Sequence, residues 1–284
     1  MIRKMLPVFL VLGLALTACG FHISLPFTVT PGPLTTDQID LPMPADASQT
    51  VDLSLGFGAG TLKLQGGASA LVTGTAKYNI PDFKPEVTVN GSSVSIEMGN
   101  WRLNKITDFT NIKNEWDLSL GKQPLNLKIE AGAYKAEYDL GGLALTNLFV
   151  KDGASDVKMK FSSPNLAEMK LLSYETGASN VSLTGLGNAN FSSLDFRSGA
   201  GNFTLDFSGT LRRDASVNIQ TGLGNTTMVI PAGVPVQLTV DGGLSNVSYG
   251  SGWSKNGSVY TQEGTGPDLT IVVKIGAGNL TLTQ

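Results

Sequence analysis

The chain has 284 residues, a formal net charge of −3, 15% charged residues, 34 glycines, one cysteine and one histidine. So little basic charge excludes a protein that holds nucleic acid, or an anionic membrane surface, by electrostatics. With one cysteine and one histidine there is no internal disulfide and no zinc cluster, and the glycine content suits β-structure with many turns.

Met1–Lys4 carries Arg3 and Lys4, and Met5–Leu16 is an apolar run too short to span a membrane as a stable helix. LTAC (16–19) follows. This resembles a bacterial lipoprotein signal with its lipobox, which implies cleavage before Cys19 and lipidation of its thiol. Residues 1–18 are then a signal peptide, and the lipid on Cys19 is the membrane anchor. The alternative for the lone thiol is a structural cysteine buried after an ordinary signal. Gly20 in place of Asp after the cysteine points to the outer membrane where there are two, and otherwise to the outer face of the cytoplasmic membrane. Losing Arg3 and Lys4 takes the net charge from −3 to −5 and leaves 266 residues.

Residues 19–49 contain Pro26, Pro31, Pro33, Pro42 and Pro44 and few periodic apolar residues, so they read as a Pro-rich tether. His22 lies in it and is more simply a solvated residue than a metal ligand or acid–base group. Residues 50–126 read as the N-terminal part of a repeat array with its cap. VTVNGSSVSI (87–96) signals a hairpin at Asn90-Gly91. NEWDLSLGKQPLNLKI (114–129) reads as two short strands around Gln123-Pro124. Trp101 and Trp116 belong to this cap, which covers the exposed first coil.

Residues 127–284 repeat one stretch, seen in LDFRSGAGNFTLDF (194–207), LSYETGASNVSLTG (172–185) and VNIQTGLGNTTMVI (217–230). Counting the copy in 50–64, its glycines are Gly58, Gly132, Gly153, Gly177, Gly199, Gly222, Gly243 and Gly276. From Gly132 to Gly243 they are 21, 24, 22, 23 and 21 residues apart, the period of a solenoid with one repeat per coil. Five residues before each glycine stand Leu53, Leu127, Leu148, Leu172, Leu194, Val217, Leu238 and Ile271; three before, all are again apolar or aromatic. This alternation predicts strands with one buried face on each side of a turn. Glycine there supplies either positive φ or close approach between coils. Asn180, Asn202, Asn225, Asn246 and Asn279 follow at a fixed offset and can hydrogen-bond from coil to coil. Short apolar pieces such as Leu143/Leu145, Ala167/Met169 and Ala189/Phe191 suggest a third strand per coil.

Outward positions form rows. Two residues before the glycine the chain reads Glu130, Lys151, Glu175, Arg197, Gln220, Asp241, Lys274, with no like charges adjacent. Five residues after it stand Lys63, Glu137, Lys158, Ser182, Thr204, Thr227, Ser248 and Thr281. Ser182, Thr204, Thr227 and Ser248 make a hydroxyl ladder that is the candidate binding face, though solvated strand surface explains it as well. Between the last two glycines, SGWSKNGSVYTQEGTGP (251–267) is a further hairpin candidate, expected to fold over the final coil, which ends at Leu282.

GTAKYN (74–79), Pro85-x-Val87, NEWDLSL with PLNLKI, DLGGLALTNLFVKDGASDV (139–157) and GAGNLTL (276–282) resemble the toast-rack family. The chain is similar over residues 50–284 to the C-terminal domain of LiaF-type cell-wall-antibiotic response proteins and to adhesin-type β-solenoids. The resemblance implies an all-β, right-handed parallel β-solenoid (a single-stranded β-helix) of about eight coils with an irregular N-terminal cap. LiaF-type proteins carry transmembrane helices before this domain and act on an envelope-stress histidine kinase; here a lipid replaces the helices. The family brings no catalytic residues to transfer.

Some parallel β-helices cleave acidic polysaccharides with clustered carboxylates and basic residues. Asp195, Arg197, Asp206, Arg212, Arg213 and Asp214 are the residues to weigh, but Asp195 and Arg197 are explained as register pairs and 212–214 as a solvated turn. No calcium-binding repeat is present, and GAGN is followed by strand rather than the helix a phosphate loop needs. The expectation is a monomeric, non-catalytic envelope lipoprotein with no cofactor and no metal. Its solenoid faces would bind an envelope protein, as a stress-response scaffold, or else a glycan or another cell surface, as an adhesin-like module.

Overall fold

The computed structural model describes residues 31–46, 48–99 and 111–284. The expected signal peptide, Cys19, His22 and Trp101 lie outside the described residues. The strands in chain order are β1 (Thr35–Leu41), β2 (Val51–Gly66), β3 (Val72–Tyr78), β4 (Pro85–Asn90), β5 (Ser93–Met98), β6 (Asn114–Leu120), β7 (Pro124–Asp139) and β8 (Ala144–Lys160). They continue as β9 (Met169–Thr184), β10 (Phe191–Asp206), β11 (Ala215–Val229), β12 (Val236–Asp241), β13 (Leu244–Tyr249), β14 (Ser254–Asn256), β15 (Val259–Gln262) and β16 (Leu269–Thr283). All belong to one mainly parallel sheet.

Each of seven glycine copies forms one long strand. β2, β7, β8, β9, β10, β11 and β16 lie side by side in that order, every neighbour parallel. Before the glycine, odd-numbered offsets face inward; after it, even-numbered offsets do. In β8, Leu148, Val150 and Asp152 are buried, Gly153 and Ala154 are both exposed, and Val157 and Met159 are buried. The strand therefore turns a corner at the glycine, with two successive residues outward, and each copy contributes two arms to the sheet. The leucines five before the glycine stack at 0–1% exposure, each burial contributing about 1.5–3 kcal/mol. From β7 to β11 no third strand forms between copies: Leu145, Met169 and Phe191 already belong to the long strands, and residues 185–190 make a tight turn with Gly185 and Asn190 left-handed.

The recurring glycine acts by close approach. A Cβ on Gly132 would stand 2.4 Å from the Gly58 carbonyl oxygen, and one on Gly222 2.4 Å from that of Gly199. Of the eight, only Gly243 has positive φ (80°); the left-handed glycines fall two residues later, as at Gly201 and Gly224.

At the N-terminal end, β5 and β6 pair in parallel with the first and second arms of β2. They supply a further coil whose two arms are separate segments. The predicted 87–96 hairpin is β4–β5. β3 runs antiparallel to β6, and β1 to β3. Residues 35–41, assigned to the tether from sequence, are thus an edge strand held partly by Tyr78, whose hydroxyl donates to Asp37 Oδ2 at 2.9 Å. TTDQIDL carries too few apolar residues for its pairing to be seen beforehand.

At the other end the coil order departs from the chain order. β16 lies between β11 and the β12/β13 pair, with Ile271 opposite both Val217 and Leu238. The copy around Gly243 is therefore the outer coil, and the C-terminal copy is internal. The physical reason is apolar content. Leu269, Ile271, Val273, Ile275, Leu280 and Leu282 of β16 are all buried, whereas Val240 and Val247 are only partly covered and Tyr249 is 43% exposed. The 251–267 segment forms β14 and β15, which cover the free edge of β12 rather than the C-terminal strand. Trp253 and Tyr260 anchor it, Tyr260 meeting the Tyr249 ring edge-on at 5.3 Å.

Candidate functional site

The first arms present their outward residues as rows across the sheet. Two positions before the corner glycine, the row in space reads Glu130, Lys151, Glu175, Arg197, Gln220, Lys274, Asp241. Arg197 meets Glu175 at 3.8 Å and Lys274 meets Asp241 at 3.3 Å. Glu130 turns instead to Lys128 on its own strand, at 2.9 Å. These pairs are about half exposed, so each contributes a few tenths of a kcal/mol to about 1.

This face carries three depressions that share lining residues. One of about 510 Å³ lies between the β4–β5 hairpin and β8, with Ser54 and Ser95 in its lining alongside Asn126, Asn147 and Phe149. A smaller one of about 190 Å³ shares Lys128 and Phe149 with it, and shares Glu175 with a third of about 640 Å³. Together they make a groove running across the strands from β5 to β12. Small residues on its floor, Ser54 at one end and Gly222 and Gly276 at the other, leave the room.

Chemically the groove presents side-chain amides and hydroxyls beside an aromatic ring. Asn147 donates to Asn126 at 2.8 Å, Thr146 donates to the same Asn126 oxygen at 2.6 Å, and Asn126 donates to Asp52 at 2.7 Å. Phe149 stands beside this network, 39% exposed. Sequence reasoning missed it. The one available signal was an aromatic ring in an outward row otherwise made largely of Ser54, Lys128, Ser173, Asp195, Asn218 and Thr239.

The hydroxyl ladder lies on the second arms. Ser182 lines a depression of about 550 Å³ together with Lys63, Glu137 and Lys158. Thr204 and Thr227 are in register and half-buried, and Ser248 donates to Thr281 at 3.3 Å. The asparagine ladder is hydrogen-bonded from Asn180 through Asn202 and Asn225 to Asn279, at 2.7–3.0 Å.

The six charged residues weighed for catalysis do not converge. Asp195 and Asp206 sit on the two arms of β10, Asp195 accepting from Asn218 at 3.4 Å and Asp206 from the Ser208 amide at 2.8 Å. Arg213 meets Glu168 at 2.5 Å, and Asp214 accepts from the Asp268 amide at 2.9 Å. Arg212 is exposed.

A carboxylate that the sequence did not single out lies inside the corner. Asp152 is 7% exposed and accepts from Tyr174 at 2.7 Å, Ser155 at 3.0 Å, Tyr134 at 3.2 Å and Thr176. Burial, with the carboxylate nearby, pushes the Tyr134 and Tyr174 phenols well above their ordinary range, so both stay protonated donors. No cation faces Asp152 in these contacts; hydroxyl dipoles carry its charge, as burial requires. Further along the same inner line the hydroxyls of Ser198 and Thr221, and on the second arm that of Thr226, are buried with no partner among the described residues.

Among the described residues no helix is long and apolar enough to cross a membrane. A Clostridium sporogenes structure described as a candidate cell adhesion protein is similar over 89% of this chain and 100% of that one, at 22% identity and TM-score 0.50. A Bacteroides fragilis candidate adhesin matches over 88% of this chain and 97% of that one, at 11% identity and TM-score 0.43. The first likeness supports the fold. No curated protein sequence matched. The family model described as the N-terminal domain of toast_rack, DUF2154, matches residues 30–171 and 165–229. Those two stretches cover more than half of the chain and contain the N-terminal coils and most of the corner glycines, and on that ground the chain belongs to the toast-rack family.

Proposed function

We propose that this chain is a non-catalytic, adhesin-like module of the cell envelope, held to the membrane by a lipid on Cys19, and that its groove face binds glycan. The observation that carries the reading is the groove itself. Linked amides and hydroxyls beside an exposed Phe149 suit a sugar, whose hydroxyls take the polar groups and whose apolar face takes the ring. The name of the Clostridium structure, a cell adhesion protein, agrees with it. In this reading the eight glycine copies wind as right-handed coils, the default for parallel connections.

Beads coated with residues 31–284 should adhere to immobilised envelope or host glycans, and Phe149→Ala together with Asn147→Ala should weaken that adhesion about tenfold or more. Cys19→Ser in the full chain should move the protein from the membrane to the soluble fraction without affecting bead adhesion. Adhesion indifferent to the Phe149 and Asn147 substitutions would remove the groove from the reading. Capture of one membrane protein with no glycan binding would return the chain to the scaffold role.

A further inference from the structure

The row that lines the depression of about 640 Å³ is symmetrical in charge about one uncharged residue. In space it reads Glu175, Arg197, Gln220, Lys274, Asp241: acid, base, amide, base, acid. Each base is drawn outward by its acid, at 3.8 Å for Arg197 and 3.3 Å for Lys274. Gln220 stands between the two bases, exposed, and its side chain has no hydrogen-bond partner among the described residues. Along the rest of the row charges alternate, so an acid is what the pattern lacks at Gln220. Strands are spaced about 4.8 Å apart, which puts the two bases on strands about 10 Å apart, within reach of one carboxylate between them. Gly222 and Gly276 lie beside that position and carry no side chain to fill it.

We propose that the Gln220 gap is a subsite for the carboxylate of an acidic sugar within a glycan that is otherwise neutral. The proposal rests on the glycan reading above and adds the class of sugar. Arg197 and Lys274 hold the carboxylate. Glu175 and Asp241 accept from hydroxyls on either side of it, and the Gln220 amide can do both. The same two acids argue against an acidic peptide, because a run of carboxylates would meet Glu175 and Asp241 head on. A lone carboxylate flanked by hydroxyls meets no such repulsion. The depression, about 640 Å³, is within the size range of small-ligand sites. It continues through Glu175 into the part of the groove that carries Phe149, which suits a chain of sugars rather than a single one.

The test is calorimetry on the full chain with a trisaccharide carrying a single glucuronate between two N-acetylglucosamines, its carboxyl-reduced counterpart, and an acidic peptide. Binding of the first, with the other two about tenfold weaker or undetectable, is expected. Gln220→Glu should abolish that binding while leaving the melting temperature unchanged or raising it by about 1–2 °C, because it completes the ladder internally. Arg197→Gln with Lys274→Gln should also abolish it. Equal binding of the reduced sugar, or undiminished binding by Gln220→Glu, would overturn the acidic-sugar subsite and leave glycan adhesion standing. Preference for the peptide would overturn the subsite in favour of a protein partner. No binding of any probe, with beads still adhering to glycan surfaces, would also overturn it and spare the broader reading; loss of bead adhesion as well would remove both.

Discussion

Asn279 donates its side-chain amide to Asn225 at 2.7 Å, across 54 residues of chain, although Asn246 is far nearer in sequence. The C-terminal strand has passed over its immediate predecessor to stack on the one before. β16 is therefore held on both sides, by β11 and by β12/β13. Truncation after residue 268 should do more than shorten the array. It should expose the edge of β11 and remove the strand that pairs with β13, and the C-terminal third should then lose protection in hydrogen exchange. A truncated chain with protection unchanged in β11 to β13 would contradict that.

The β14–β15 hairpin has a different task. Replacing residues 251–262 by a short Gly/Ser linker uncovers the edge of β12 while keeping β16 in the chain. Exposed strand edges pair with other chains. Light scattering should then show assembly that grows with concentration, and a monodisperse monomer would speak against the hairpin as an edge cover.

At the corner, a methyl group is enough to interfere. Gly222→Ala would bring Cβ within 2.4 Å of the Gly199 carbonyl oxygen, where backbone rather than a flexible side chain must give way. Overpacking of this kind costs about 1–3 kcal/mol. Gly250→Ala, with nothing within 4 Å of the new atom, is the control and should be close to neutral in thermal melts.

Asp152 is a stability centre. Asp152→Ala leaves the Tyr174, Tyr134 and Thr176 hydroxyls buried without their acceptor, and should cost about 3 kcal/mol or more. Tyr174→Phe removes one donor and should cost about 1–2 kcal/mol. Chemical denaturation of both variants gives the comparison; equal effects would mean the network is not centred on the carboxylate.

Asp139 gives a pH signature. Burial raises its pKa, but hydrogen bonds from Ser162, from the Gly141 amide and from Lys160 outweigh that and leave it below the ordinary carboxylate value. A folded-state pKa that is lowered stabilises above the unfolded value of about 3.9, and the contribution is lost as pH falls through the folded one. Asp139→Asn should therefore melt below the wild type at pH 7, and the gap should close in strong acid. A gap independent of pH would assign the effect to packing.

Much of the architecture was legible in the residues. The apolar positions three and five before each glycine, and six after, recur because a stacked strand must bury the same face in every coil, and that requirement is local. The asparagine ladder and both hairpins were legible for the same reason. The role of the corner glycine was left between two explanations, because backbone dihedrals and neighbouring carbonyls are not written in a sequence; close approach is what the fold uses. Thr35–Leu41 was missed because an edge strand with one partner needs little apolar surface. Phe149 and Asp152 each break their column's pattern, but nothing in one chain says whether an exception faces solvent or a ring of hydroxyls.

What the sequence determined by itself was the coil: its period, its buried columns and the row of alternating charge. Which coil lies on which was decided only in the tertiary structure. Parallel strands with equivalent columns can stack in more than one order, since every copy presents the same register to its neighbour. The choice falls to differences in buried apolar area. β16, apolar throughout its inward face, takes the slot between β11 and β12, and the copy split at Gly242-Gly243 takes the edge. That exchange moves Lys274 next to Gln220 and Asp241 to the end of the row, and so makes the symmetrical charge pattern that chain order does not contain.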